Sequence, residues 1–297
     1  MTQEKILIFG RSGQVGMELR HKLACLGTVV SPDASEADFS KPDSIRKAVR
    51  SAQPAVIVNA AAYTAVDKAE SDSELAAAIN ATAPGVLAEE AKRAGSILVH
   101  YSTDYVFDGS KQAAYDETDL PNPLNVYGKT KLAGDEAIAA VGGAYVILRT
   151  SWVYGARGNN FLLTMLRLAK ERAELRIVDD QTGAPTSSEC IAQGTAQVLT
   201  QLLARGGGMD GRSGIYNLTC AGQTTWFGFA KAFLGAREPG VIAPRLIPIP
   251  TVEFPRPAKR PANSRLSGKR VEEMFGVRMP HWEVALKLVM ETIQERT

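Results

Sequence analysis

Short apolar runs alternate with longer amphipathic stretches over the first half of the chain. Apolar runs of this length, bounded by glycine or polar residues, are typical of strands buried on both faces of a parallel sheet. The amphipathic stretches between them predict helices that cover those faces. The predicted strands are residues 5–9, 28–31, 55–59, 97–101 and 145–149. The pattern therefore predicts an α/β fold with a doubly wound parallel sheet.

The helical pattern is strong before residue 150 and looser after it. In the first half, helices are predicted at residues 14–26, 43–52, 76–94 and 127–140, and Pro84 either interrupts the third or begins a second helix there. In the second half, helices are predicted at 160–173, 190–204, 226–234 and 282–294, and surface loops at 206–208 and 244–261. We expect two parts, 1–150 and a smaller lobe at 151–297, with some helices of the lobe packing back on the first part.

Charge and composition exclude several classes of protein. The chain has 34 basic and 32 acidic residues, a net charge of +2, which gives no reason to expect nucleic acid or an anionic membrane as partner. Its first residues lack the apolar core of a signal peptide, and no apolar run is long enough for a membrane helix. The cysteines, Cys25, Cys190 and Cys220, are scattered and odd in number, which indicates reduced thiols. We expect a soluble, cytoplasmic protein.

Glycines follow the first predicted strand and lead into the first predicted helix. Gly10 permits a tight turn, Gly13 lets backbone approach a pyrophosphate, and Gly16 allows the helix to pack closely on the sheet. The helix N-terminus adds N–H donors and a positive dipole. We therefore predict a Rossmann-type NAD(P)-binding domain over 1–150 and a substrate-binding lobe over 151–297. The predicted cofactor contacts are Gly10, Arg11, Ser12, Gly13, Gln14, Val15, Gly16, Asp33, Asp38, Phe39, Ala61, Ala62, Tyr63, Thr64, Tyr127 and Lys131.

Two residues near the glycines bear on the choice between NADH and NADPH. Asp33, just past the second strand, is placed to accept a hydrogen bond from a ribose 2′-hydroxyl, which favours NADH. Arg11 could instead neutralise the 2′-phosphate of NADPH. Each could also be a solvated surface charge, so the sequence leaves the choice of cofactor open.

Tyr127 and Lys131 are spaced to share one face of a predicted helix. A phenol has an ordinary pKa near 10, and a nearby ammonium would lower that pKa toward neutrality. Thr103 follows the fourth strand, at the edge of the sheet where open parallel sheets bind their ligands. Its hydroxyl could donate a hydrogen bond to a substrate carbonyl there, beside the tyrosine. We predict that these three residues form a catalytic set for reduction by a nicotinamide cofactor.

Around these residues the sequence resembles the extended short-chain dehydrogenase/reductases that act on sugar nucleotides. The similarity spans nearly the whole chain, in the segments 58–62, 64–70, 102–109, 123–134, 149–154, 180–186 and 260–266. It implies that Thr103, Tyr127 and Lys131 are catalytic, and that Thr103, Asp104 and Trp152 contact the substrate. The implied reaction is reduction of the 4-keto group of dTDP-4-dehydro-L-rhamnose by NADPH or NADH. Its product would be dTDP-L-rhamnose, for surface polysaccharide.

Further residues receive roles from the same resemblance. Arg260 and Asn263 are candidates to bind the diphosphate or nucleotide, because an anion needs charge-assisted donors. Some members of the family form a homodimer linked by Mg²⁺ through glutamates, and Glu18, Glu189 and Glu283 are the positions that would match. Isolated glutamates are more often surface charges, and the metal would take no part in hydride transfer.

Other functions are open at this point. A sugar-nucleotide 4,6-dehydratase or 4-epimerase would share the fold, the glycines and the Tyr/Lys pair. As that family is known, the dehydratase carries Asp-Glu directly after the threonine, whereas Tyr105 stands here after Asp104. A non-catalytic NADP-binding regulatory subunit is a further alternative, which the intact catalytic set disfavours. His100 lies inside an apolar strand and is predicted to be structural.

Overall fold

A parallel sheet of six strands lies at the centre of the computed structural model, which describes residues 4–204, 209, 211–235 and 244–295. Within these residues the strands are β1 (Lys5–Phe9), β2 (Thr28–Val30), β3 (Val56–Asn59), β4 (Ile97–Thr103), β5 (Tyr145–Thr150), β6 (Val153–Tyr154), β7 (Glu174–Val178), β8 (Thr182–Gly183), β9 (Thr186–Ser187), β10 (Gly214–Asn217), β11 (Thr224–Thr225) and β12 (Arg245–Ile249). The sheet has the order β10-β5-β4-β3-β1-β2, and its strands pair in parallel. The prediction of a doubly wound α/β fold is confirmed.

Helices cover both faces of this sheet. They are α1 (Gln14–Lys22), α2 (Pro42–Ala52), α3 (Val66–Ala69), α4 (Ser73–Ala77), α5 (Ala83–Ala94), α6 (Val126–Val141), α7 (Phe161–Glu171), α8 (Ser188–Ala204), α9 (Trp226–Leu234), α10 (Lys269–Phe275) and α11 (Trp282–Gln294). Alternate residues of each strand point to opposite faces. In β1, Leu7 and Phe9 pack against α2 and α5, whereas Ile6 and Ile8 pack on the side of α1, α8 and α10. The two cores are therefore separated by the sheet.

The segment around Pro84 divides into two helices. Pro84 lies in the first turn of α5, and a π-helical turn, Ala78–Thr82, joins α5 to α4. Pro84 therefore begins a second helix, as the second of the two predicted alternatives has it. Proline suits the first turn because its missing N–H would have no partner inside the helix there.

Residues after 150 contribute to the central sheet as well as to a core of their own. β10 pairs with β5, and α8 and α10 pack under the sheet. A separate core gathers aromatic and aliphatic side chains of α7, α9 and α11. The loop predicted over 244–261 is wrong for Arg245–Ile249, which pairs with β7. The loop predicted at 206–208 lies outside the described residues, and the division at residue 150 stays a prediction.

No helix among the described residues is both long and apolar enough to cross a membrane. The three cysteines, all of them described, are free thiols.

Candidate active site

A cleft of about 480 Å³ opens at the carboxyl ends of β1 and β3. From β1 the chain passes to β2 on one side of the sheet, and β3 lies on the other side, so the strand order reverses here. Open α/β sheets bind their ligands at such a point. The residues that line the cleft are Phe9, Gly10, Arg11, Ser12, Gly13, Pro32, Asp33, Ala34, Ala37, Asp38, Phe39, Ser40, Ala60, Ala61, Ala62, Leu75 and Ile79.

The glycines make close backbone contacts that a side chain would prevent. Gly10 has φ +85° and a methyl group there would lie 2.5 Å from the carbonyl carbon of Ala60. A methyl group at Gly16 would lie 2.1 Å from the carbonyl oxygen of Gly10, so α1 packs directly on the turn. At Gly13 the nearest atom is 3.4 Å away, an ordinary contact. Gly13 therefore borders open space and is not required for close packing, as expected of a residue that faces a ligand.

Nine of the sixteen predicted cofactor residues line this cleft, and seven do not, among them Tyr127 and Lys131 of α6. The Gln14 side chain accepts a hydrogen bond from Asn160, at 2.8 Å, and Val15 packs against the core below the sheet. Tyr63 donates its hydroxyl hydrogen to Asp72, at 2.9 Å. Thr64 and Gly16 also lie outside the lining. Leu75 and Ile79 line the cleft from α4 and the π-helical turn, and no sequence motif indicated them.

Arg11 and Asp33 differ in how many of their hydrogen-bonding atoms are left for a ligand. The Asp33 carboxylate accepts hydrogen bonds from the backbone and side chain of Ser35, and these bonds lower its pKa. Its Oδ1 is therefore committed to the turn after β2. Arg11 donates to the Ser31 carbonyl, at 3.1 Å, through one of its nitrogens, and the guanidinium has further donors for an anion.

Close packing of α6 on the turn after β4 brings two of the predicted catalytic residues together. Asn125 caps α6 by accepting a hydrogen bond from Gly128 N–H, at 2.8 Å. A side chain at Gly128 would lie 2.2 Å from the Tyr105 carbonyl oxygen, so glycine allows the first turn of α6 to approach. In the resulting arrangement the Thr103 side chain lies near the Tyr127 phenol and acts to lower its pKa. The structure thus joins two members of the predicted set.

Lys131 lies one turn further along α6 and is fully buried. Its Nζ donates to the Tyr101 carbonyl oxygen, at 2.6 Å, and lies 3.0 Å from Nε2 of His100. Burial lowers the pKa of Lys131 to about 8, which the negative charge of Asp135 partly opposes. Sequence reasoning missed His100 as a neighbour of the catalytic lysine.

Tyr127 has a raised pKa in this arrangement, not the lowered one that its spacing from Lys131 predicts. Burial is the largest cause, and the nearby charges of Asp104 and Asp135 act in the same direction. The Thr103 side chain opposes them without reversing the effect. The phenol therefore holds its proton firmly at neutral pH, which suits a proton donor.

Asp104 is buried between these residues. Its Oδ1 accepts a hydrogen bond from the Thr103 hydroxyl, at 2.8 Å, and within the described part of the chain its Oδ2 has no hydrogen-bond partner. Burial raises the pKa of Asp104 to about 7, so near neutrality part of the population carries a proton on this carboxyl group. Tyr105 packs edge-on against Tyr127, with ring centroids 5.8 Å apart. Asp104 can therefore offer either an acceptor or a donor to a sugar.

An aromatic pair lies on the side of the second lobe. Trp152 and Trp226 stack with ring centroids 3.6 Å apart and nearly parallel planes. Trp152 has φ +47°, an uncommon backbone conformation for a bulky residue, and its indole N–H donates to Ser264, at 3.0 Å. These contacts hold the Trp152 ring in one orientation, as a substrate-positioning residue requires.

The two nucleotide-binding candidates after residue 259 are already paired within the chain. Arg260 makes a two-pronged ion pair with Asp67, at 2.9 and 3.0 Å. Asn263 donates both amide hydrogens to backbone carbonyls, those of Lys111 and Ala113. Asn263 therefore holds the loop of residues 111–113 in place, and the roles of both residues in binding a nucleotide stay predictions.

A single copy of the chain does not gather the glutamates that were matched to Mg²⁺. Glu189 pairs with Lys22, at 2.9 Å, and Glu283 lies 3.4 Å from His281. Over the described residues, no group of three or more His, Cys, Asp or Glu is placed to hold a metal ion. The residues present in one copy, Glu18 included, therefore do not fit a metal site.

Comparison with known proteins decides the family. The family model of the RmlD substrate binding domain matches residues 4–295. The dTDP-4-dehydrorhamnose reductase of Burkholderia thailandensis is 50% identical over 294 residues, which cover 97% of this chain and 99% of that protein. The chain belongs to the dTDP-4-dehydrorhamnose reductase family. The enzyme of the same name from Escherichia coli K12 is 45% identical, over 97% of both chains.

A solved structure agrees with this assignment. The crystal structure of dTDP-4-dehydrorhamnose reductase from Bacillus anthracis in complex with NADP matches with a TM-score of 0.89 and 33% identity, over 98% of this chain and 100% of that one. The family resemblance predicted from sequence is thereby confirmed. The chain is an oxidoreductase of this family.

Proposed function

We propose that this chain reduces the 4-keto group of dTDP-4-dehydro-L-rhamnose with NADPH and yields dTDP-L-rhamnose. The observation that carries the proposal is the packing of α6 on the turn after β4, which places the Tyr127 ring 5.8 Å from that of Tyr105 and close to Thr103, the last residue of β4. The Tyr127 phenol, as proton donor, and the Thr103 hydroxyl can then both reach the carbonyl oxygen of the substrate. The family of the chain supplies the substrate.

The residues of the cleft fit a dinucleotide. Close packing at Gly10 and Gly16, and open space at Gly13, leave room for a pyrophosphate at the N-terminus of α1. When bound, the cofactor supplies the hydride for the sugar carbon. Tyr127 then gives its phenolic proton to the sugar oxygen, which gains negative charge as the carbonyl is reduced. Thr103 orients that oxygen by a hydrogen bond once its single hydroxyl hydrogen turns to the sugar from Asp104 Oδ1, which accepts it at 2.8 Å in this structure.

Lys131 acts on Tyr127 through its charge. With a pKa of about 8, most of the Lys131 population is charged at neutral pH. A positive charge one helical turn from Tyr127 stabilises the phenolate that remains after proton transfer. In this proposal Lys131 acts through its charge, since its Nζ donates to the Tyr101 carbonyl oxygen and lies beside His100.

NADPH is the cofactor that the cleft favours. In Asp33, the residue that would select NADH, Oδ1 already accepts hydrogen bonds within its turn, which leaves Oδ2 for a ribose hydroxyl, whereas within the described residues Arg11 uses one nitrogen and keeps its other donors for a 2′-phosphate. We expect Arg11→Ala to raise the KM for NADPH about tenfold through loss of a charge-assisted hydrogen bond, and the KM for NADH much less. Initial rates with each cofactor measure the ratio. An equal rise for both cofactors would contradict this role of Arg11.

The proposed reaction is tested by the absorbance of the reduced cofactor. Purified protein is mixed with NADPH or NADH and freshly made dTDP-4-dehydro-L-rhamnose, and the product is identified by NMR. We expect stoichiometric oxidation of the cofactor and one dTDP-L-rhamnose per hydride. A dehydratase or epimerase recycles a bound cofactor and would give no net oxidation, and neither would a regulatory subunit.

Three finer points belong to the same proposal. The free cysteines agree with a reducing compartment, and we propose that the reaction takes place in the cytoplasm to supply surface polysaccharide. A homodimer and a magnesium ion between its subunits stay predictions. Size-exclusion chromatography and turnover assays, each with and without a chelator, test both the dimer and the magnesium ion.

A further inference from the structure

A chain of buried hydrogen bonds leads from the wall of the cofactor cleft to the catalytic lysine. It begins at the backbone N–H of Ala61, which donates to Oδ1 of Asn59, at 3.1 Å. The Asn59 amide nitrogen lies 3.0 Å from Nδ1 of His100, and Nε2 of His100 lies 3.0 Å from Nζ of Lys131. Asn59, His100 and Lys131 are all essentially inaccessible to solvent.

The direction of these hydrogen bonds is set at the Asn59 end. Because Oδ1 of Asn59 is taken by a backbone N–H, the amide group presents its NH₂ to His100. Nδ1 of His100 must then accept, and a neutral imidazole with a bare Nδ1 carries its hydrogen on Nε2. That hydrogen points at Lys131.

A hydrogen on Nε2 of His100 fits only one state of Lys131. A neutral amine has a lone pair that accepts from Nε2–H, while its own hydrogens donate to the Tyr101 carbonyl oxygen. An ammonium has only hydrogens, so it would meet Nε2–H as donor against donor. If His100 instead carries its hydrogen on Nδ1, that hydrogen meets the NH₂ of Asn59, so two donors again face each other. In a buried site such a mismatch is costly.

We infer that His100, oriented by Asn59, is a positioning residue that sets the protonation of Lys131. It couples the backbone that lines the cofactor cleft to the charge of the catalytic lysine through a directional hydrogen-bond chain. The inference deepens the proposed reductase function and rests on it for its catalytic meaning. The low pKa of Lys131, about 8, and the strongly lowered pKa of His100 agree with it.

Few charged groups oppose this effect. Asp135, on α6, is the charge that raises the pKa of Lys131, and Asp135 itself lies 3.5 Å from Arg149 on β5, which offsets its charge. On β4, the charge of Lys131 in turn lowers the pKa of His100. From the turn after β4, Asp104 acts on Tyr127. Burial is the largest cause of the lowered pKa of Lys131, and the hydrogen-bond chain from β3 adds a directional preference to it.

The tautomer of His100 is measured on the unaltered protein. The chain has three histidines, and ¹⁵N spectra distinguish a ring nitrogen that carries hydrogen from a bare one. His21→Gln and His281→Gln, both at exposed positions, remove the other two signals. At about pH 9, above the pKa of Lys131, we expect the Nε2–H tautomer. An Nδ1–H tautomer or an imidazolium at this pH overturns the inference.

Asn59→Asp tests the coupling to Lys131, because a carboxylate of the same shape accepts from Nδ1–H. His100 should then present a bare Nε2 to Lys131, which accommodates the ammonium. We expect the pKa of Lys131, followed by ¹⁵N NMR of Nζ and assigned with Lys131→Met, to rise by about one unit or more. The alkaline limb of the kcat/KM profile should move with it. An unchanged tautomer and pKa would contradict the proposal.

The two proposals fail in different ways. If the unaltered protein does not turn over dTDP-4-dehydro-L-rhamnose while the tautomer is as expected, only the proposed function is wrong. If it turns over this sugar while His100 carries Nδ1–H, only the coupling is wrong. His21→Gln, on the exposed face of α1, is the matched histidine control for the pH profile and should leave it unmoved.

Discussion

Replacement of Tyr127 by phenylalanine is expected to lower kcat by about 10²–10⁴-fold, the range that a positioned proton donor contributes. The phenol is the group that lies near Thr103 at the sheet edge, and burial keeps its proton in place at neutral pH. The change removes one oxygen and leaves the ring in its edge-on contact with Tyr105. Steady-state rates with NADPH and dTDP-4-dehydro-L-rhamnose measure the effect.

Cofactor affinity and thermal unfolding provide the controls for this variant. The Kd for NADPH should change little, since the glycine-lined cleft does not include the phenol. Tyr145→Phe makes the same chemical change at the opposite end of the sheet, where β5 begins. The kcat of this variant should equal that of the unaltered protein. If Tyr127→Phe oxidises NADPH with substrate as fast as the unaltered protein, the catalytic role assigned to the tyrosine is wrong.

Replacement of Gly16 by alanine is expected to weaken both the fold and cofactor binding. The new methyl group would lie 2.1 Å from the Gly10 carbonyl oxygen, so α1 must move away from the turn. Overpacking of this kind costs about 1–3 kcal/mol, which lowers Tm by several degrees. Displacing the N–H donors at the helix N-terminus should raise the Kd for NADPH about ten- to a hundredfold. Calorimetry and fluorescence titration measure the two effects.

Gly13→Ala is the matched variant for this experiment. Its methyl group would meet its nearest neighbour at 3.4 Å, so Tm should hold, whereas the methyl would intrude on the pyrophosphate and raise the Kd. A loss of Tm at Gly13 equal to that at Gly16 would contradict the division between a packing glycine and a ligand-facing one.

Local patterns predicted most of the first half of the fold. The Tyr145–Thr150 strand differs by one residue from its prediction, and the Val126–Val141 helix by one residue at each end. Strand period, helix period and turn glycines act over a few residues, so their information is present in the sequence. The strand Arg245–Ile249 was missed because the prolines in and around it suggest a loop, whereas its pairing with β7 and the packing of Leu246 depend on residues distant in sequence.

By itself, then, the sequence determined the β-α order, the glycine turn, the spacing of Tyr127 from Lys131 and the family of the chain. Only the tertiary structure decided what surrounds these groups. His100 meets Lys131 across 31 residues of sequence, and Arg260 meets Asp67 across 193. Partners of this kind depend on which strands become neighbours and on how closely helices pack against them. A pKa depends on burial in that packing, and so the raised pKa of Tyr127 and the lowered pKa of Lys131 could not be read from spacing alone.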